Sequence, residues 1–122
     1  MITTRSILIA EDDVELGQVV AEILTFEGFQ TQIIRDGAVV YDQVIASLPA
    51  LLILDMHLPH RSGTEILNQI RANPDLTPMK ILVATADVQL ARVVRHQADV
   101  ICDKPYSISQ LVGIVNRLVP LV

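Results

Sequence analysis

Short apolar runs recur along this chain, and each is followed by a stretch with helical spacing. The runs are "SILIA" (Ser6–Ala10), "TQIIR" (Thr31–Arg35), "LLILD" (Leu51–Asp55), "KILVAT" (Lys80–Thr85) and "VIC" (Val100–Cys102). They are near-continuous rather than alternating. A strand of that kind is covered on both faces, as in a parallel sheet between two layers of helices. The intervening stretches supply the helices. Leu16, Val19, Val20, Ile23 and Leu24 follow a helical period, and Gly28 stops it. Asp36-Gly37 marks a turn, then Val40, Val44, Ile45 and Leu48 a second helix. Ser62 and Glu65 have capping-box spacing ahead of Ile66, Leu67 and Ile70. "RANPDLTP" (residues 71–78) reads as a loop, and Leu90, Val93 and Val94 mark a fourth helix. Ser107 and Gln110 open a fifth, whose expected core stripe is Ile108, Leu111, Val112, Val115 and Val119. The pattern is five β–α units without an internal repeat or linker. That predicts one α/β domain over residues 1–122 with a doubly wound parallel sheet.

The chain has 122 residues, a length ordinary for one domain, and its 51% apolar content with 3% aromatics calls for an aliphatic core. Its formal net charge of −5 and the lack of a Lys/Arg cluster argue against direct nucleic-acid binding. No apolar run approaches a membrane span, and "MITTRS" has no signal-peptide core, so a cytoplasmic protein is expected. The single cysteine, Cys102, can form no internal disulfide and is expected to be buried.

In open parallel sheets, ligands bind outside the carboxyl ends of the strands. The first strand ends in Glu11, Asp12 and Asp13, and the third in Asp55. The fourth ends in Thr85, and the fifth runs into Asp103, Lys104 and Pro105. Each of these residues has an ordinary use taken alone: Asp12 or Asp13 as a helix cap, Thr85 as a strand end, Lys104-Pro105 as a turn. Together, at neighbouring strand ends, they gather acids, a hydroxyl and an ammonium. Clustered carboxylates do not all stay ionised unaided; a proton, a lysine or a divalent cation relieves them. All-oxygen ligands suit Mg²⁺ or Mn²⁺. A lysine and a hydroxyl beside the metal fit the oxygens of a phosphoryl group in transfer. Asp55 is therefore the candidate nucleophile.

The segments "ILIAEDD", "LLILDMHLPHRSG", "ILVATAD" and "DKPYS" make the whole chain resemble the receiver domain of two-component response regulators. The resemblance implies a flavodoxin-like, five-stranded sheet in order 2-1-3-4-5 with helices on both faces. It implies a phosphorylation-dependent switch, not an enzyme with independent turnover. Asp55 would be the phosphoacceptor, with Thr85 and Lys104 meeting the phosphoryl group. Mg²⁺ would take Asp12, Asp55 and the backbone carbonyl of His57, with Glu11 acting through water. The Lys104–Pro105 peptide would be cis, Gly63 matches the glycine beyond the third strand's loop, and Asp13 would cap the first helix. The implied partners are a sensor histidine kinase or phosphotransfer protein and an output protein or downstream domain on the fourth-helix, fifth-strand, fifth-helix face. A homodimer is a further implied partner, and a start at Met1 fits a stand-alone receiver or an N-terminal one.

The chain departs from the family pattern at several positions. Ile101 stands where a Tyr or Phe is common, Asp103 precedes the lysine, and Gln97 replaces a frequent glycine before "AD". Val100, Gln110 and Ile114 occupy positions where the transcription-factor branch pairs charges to dimerise. Ile114, off the expected core stripe, joins Leu118 and Leu121 as a candidate contact face. Two other classes share parts of the pattern. A haloacid-dehalogenase-type phosphatase wants a second Asp where His57 stands. A flavin-binding module wants a Ser/Thr/Gly-rich phosphate loop, which the sequence lacks.

Overall fold

Both faces of the apolar strands are indeed covered. A computed structural model describes the backbone of residues 3–120 and the side chains of residues 5–120. The strands are β1 (Thr3–Ala10), β2 (Gln30–Ile34), β3 (Pro49–Asp55), β4 (Lys80–Thr85) and β5 (Val100–Asp103). They form one parallel sheet in the order β2-β1-β3-β4-β5. The helices are α1 (Val14–Phe26), α2 (Val40–Ser47), α3 (Gly63–Arg71), α4 (Val88–Val94) and α5 (Ile108–Leu118). The parallel sheet between helix layers is the one the sequence pattern predicts, and its strand order is the one the resemblance implies.

Alternation along the strands feeds two cores. Leu8, Leu52, Leu54, Ile81 and Val83 point to one face, where Val40 and Val44 of α2, Ile66, Leu67 and Ile70 of α3 and Val94 of α4 meet them. Ile7, Ile9, Leu51, Ile53, Leu82 and the buried Cys102 point to the other, against Val20 and Leu24 of α1 and Leu111 and Val115 of α5. Each such side chain contributes about 1.5–3 kcal/mol by leaving water, so the sheet position is fixed from both sides.

The short loop elements refine the expected pattern. The expected loop after α3 contains a 3₁₀ turn, Pro74–Leu76, that buries Leu76. Another 3₁₀ turn, Gly37–Val39, follows Asp36 and leads into α2. Gly28 takes φ 98°, the left-handed turn that ends α1. The Lys104–Pro105 peptide is cis.

One expectation fails on α5. Ile114 is buried, at 6% exposure, and packs in the core with Leu111 and Val115, whereas Ile108 is 36% exposed. The true stripe runs through residues 111, 114, 115 and 118, the i, i+3, i+4, i+7 spacing of one helix face. Apolar residues at 108 and 112 drew the predicted stripe around the helix. Ile114 therefore offers no surface to a partner, Leu118 is partly buried against the same core, and Leu121 lies outside the described residues.

Candidate functional site

The sheet register brings the chemistry together. Ala10 lies beside Leu54, Asp55 beside Ala84, and Thr85 beside Asp103. Glu11, one residue past Ala10, is thereby level with Asp55, and Lys104 follows directly on Asp103. The connecting loops are held close to this edge by caps. Asp13 Oδ1 accepts from Leu16 N at 3.0 Å, Ser62 Oγ from Glu65 N at 3.3 Å, Asp87 Oδ1 from Leu90 N at 3.0 Å and Ser107 Oγ from Gln110 N at 3.0 Å. The loop after β3 closes where Gly63 N donates to Met56 O at 3.0 Å. A Cβ on Gly63 would stand 2.6 Å from Met56 Cα, so only glycine fits this closure.

Glu11, Asp55 and Thr85 are the buried polar side chains among the described residues. Carboxylate oxygens of Glu11, Asp12 and Asp55 lie within 4.8 Å of one another. Lys104 Nζ donates to Glu11 Oε1 at 2.7 Å and stands 3.4 Å from Asp55 Oδ2. The ammonium thus sits nearer Glu11 than Asp55, a division the sequence did not reveal. Asp13 N donates to Glu11 Oε2 at 3.2 Å, and His57 N to Asp55 Oδ1 at 3.1 Å. Thr85 Oγ1 accepts from Asp87 N at 3.0 Å.

The electrostatics follow from burial against pairing. Burial pushes the Glu11 carboxyl above its ordinary range, against the downward pull of the Lys104 hydrogen bond and the Asp13 amide. For Lys104, burial pulls the ammonium down, but the hydrogen bond to Glu11 and the field of Asp55 outweigh it and raise it. Three carboxylates facing one ammonium leave an excess of negative charge in a crowded, all-oxygen site. Such a donor set fits a small hard divalent cation.

Asp12 is solvent-exposed at the mouth, while Asp55 is recessed at 7% exposure. The sequence reading used only the backbone carbonyl of His57 and gave Tyr106 no role, and the structure brings both side chains to the rim. His57 Nε2 approaches Asp87 Oδ2 at 3.6 Å, linking the loops after β3 and β4. Tyr106 lines a cleft of about 320 Å³ beside the site, together with Asp13, Leu16, Ala86, Lys104 and Pro105. Its place directly after Lys104-Pro105 was the available signal. Asp103 is exposed and Asp13 caps α1, both as expected.

A family model described as the response regulator receiver domain matches residues 7–116. The chain belongs to that family, the receivers of two-component signalling. It is 31% identical over 115 residues to the sensory transduction protein RegX3 of Mycobacterium tuberculosis, covering 93% of this chain and 50% of that protein. It is 35% identical over 114 residues to the response regulator protein PmrA of Pseudomonas aeruginosa, covering 92% of this chain and 51% of that one. The chain thus spans about half the length of these curated relatives. Among solved structures, the chemotaxis response regulator CheY4 of Vibrio cholerae superposes with a TM-score of 0.86, at 19% identity, covering 95% of this chain and 99% of that one; this likeness shows the fold. No helix among the described residues is long and apolar enough to cross a membrane.

Proposed function

We propose that this receiver takes a phosphoryl group on Asp55 and passes on its state by protein–protein contact. The observation that carries the reading is the recessed Asp55 carboxylate, gathered with Glu11 and Asp12 and facing Lys104. In the forward step an Asp55 oxygen attacks phosphorus on a phosphohistidine of a sensor kinase or phosphotransfer protein. The P–N bond breaks, its electron pair returns to the imidazole, and an aspartyl phosphate remains. Asp12, Asp55 and the His57 carbonyl would hold Mg²⁺, with Mn²⁺ as a substitute, and Glu11 would act through a water. When bound, the ion neutralises charge on the phosphoryl oxygens.

This chain's own groups do the rest. Lys104 leaves its contact with Glu11 to meet a phosphoryl oxygen, a charge-assisted hydrogen bond. The Thr85 hydroxyl turns to a second oxygen. Hydrolysis of the aspartyl phosphate resets the switch, and no separate substrate is turned over. A cytoplasmic setting goes with this reading, since phosphodonor kinases and Mg²⁺ are available there. The output contact uses α4, β5 and α5, where Val88 and Val93 stand exposed. Hydride reduction after treatment with a small acyl phosphate and Mg²⁺ tests the site. It converts an aspartyl phosphate to homoserine, which peptide mass spectrometry should find at position 55. Homoserine at Asp12 or Asp13 instead would overturn the assignment.

A further inference from the structure

α4 is held very differently at its two ends. Its first turn hangs on Asp87, whose carboxylate caps Leu90 N and whose own N–H donates to Thr85 Oγ1 at 3.0 Å. A second tie on this end is the exposed His57–Asp87 pair at 3.6 Å, of a kind worth at most about 1 kcal/mol. Beyond the last turn, a 3₁₀ turn (Arg95–Gln97) enters a solvent-facing network of several polar contacts. Arg71 Nε donates to Gln97 O at 2.7 Å, and Gln97 Nε2 to Asn68 Oδ1 at 2.8 Å. Arg71 Nη2 lies 3.5 Å from Asp99 Oδ2. That same oxygen accepts from Ile81 N at 2.7 Å, and Asp99 N donates to Ile81 O at 2.9 Å. α3, β4 and the start of β5 are thus tied together where α4 ends. The glycine often found in receivers at position 97 would lack the side chain that reaches Asn68.

We propose that Asn68, Arg71, Gln97 and Asp99 form a fixed pivot for α4, so that the switch moves the first turn of the helix and leaves its last turn in place. The proposal rests on the reading of Asp55 and Thr85 given above. Thr85 Oγ1 can follow a phosphoryl oxygen only by carrying the Asp87 N–H with it or by letting it go. In both cases the displacement enters α4 at Asp87 and Val88. At the other end the polar cluster and the buried Val94 oppose it. Leu90 and Ile101 pack on the same core between these ends. At Ile101 an aliphatic residue replaces the usual aromatic in relaying the tilt through that core.

The test uses the unmodified chain, so its result stands whether or not Asp55 accepts a phosphoryl group. Thr85→Val removes the acceptor for Asp87 N–H. Backbone amide shifts should then change over residues 87–91 and hold over residues 95–98. Thr85→Ser, which restores the hydroxyl, should return them. In an Arg71→Met, Gln97→Gly background, the further change Thr85→Val, read against that background, should spread its shift changes through residues 95–98. Changes spread evenly along α4 with the cluster intact, or still confined to its first turn with the cluster removed, would overturn the pivot. Failure of phosphoryl uptake at Asp55 would instead strike the proposed function alone.

Discussion

Tyr106 shows how one residue registers the charge around it. Burial, then the negative fields of Glu11, Cys102 and Asp55, push its phenol from the ordinary 10 up to about 12. An unfolded chain ionises this tyrosine near pH 10 and the folded chain does not. The resulting stability is whole below pH 10 and is lost as pH rises through about 12. Phenolate absorbance of the folded protein should show a step near pH 12 that disappears in Tyr106→Phe. A step at ordinary tyrosine pH that disappears in Tyr106→Phe would contradict the buried setting. Lys104 is the second informative residue. Lys104→Ala leaves the recessed Glu11 without its partner, a loss of about 1–3 kcal/mol in unfolding free energy. It should also abolish the shift changes that follow phosphorylation while altering Mg²⁺ affinity less. Most of the site was legible at this scale, because Glu11, Asp55, Thr85 and Lys104 each end or follow an unmistakable apolar run. The contacts of Asp87 with His57 and Thr85 were not legible. His57 lies thirty residues from Asp87 in sequence, and only the loops' spatial approach joins them.

At the scale of elements, every strand was found with its ends within three residues, β1 and β3 starting earlier than read, and α5 was misread. β4 needs no arbitration, since "KILVAT" is apolar on both faces beyond Lys80 and bounded by Pro78 and Asp87. α5 carries apolar residues at 108, 111, 112, 114, 115, 118 and 119, too many for one stripe. Periodicity alone cannot choose between two overlapping faces; packing into the core shared with the sheet and α1 does. The structure makes the choice testable. Ile114→Ala should cost about 2–5 kcal/mol in chemical unfolding, the range for a buried aliphatic truncation. Ile108→Ala should cost far less. Equal small costs would return Ile114 to the surface.

For the whole molecule, the parallel sheet places three carboxylates, a hydroxyl and an ammonium on one edge, and leaves the opposite ends of the strands without such a cluster among the described residues. Binding to this edge must stabilise the native state, since an unfolded chain has no such convergence. Mg²⁺ at a hundred times its dissociation constant should add about 2.7 kcal/mol to unfolding free energy. Asp12→Ala should remove most of that gain and Glu11→Ala less, as direct against water-mediated ligation requires. Equal small effects in calorimetric titration would contradict the coordination proposed.

The central claim is chemical, and the mass of the intact protein reads it most directly. Incubated with a small acyl phosphate and Mg²⁺, the wild-type chain should gain a single phosphoryl group and lose it on chelation-free standing in water. The same treatment should leave Asp55→Ala at its original mass. A phosphoryl gain that survives in Asp55→Ala, or a wild-type chain that gains none, would contradict Asp55 as the phosphoacceptor.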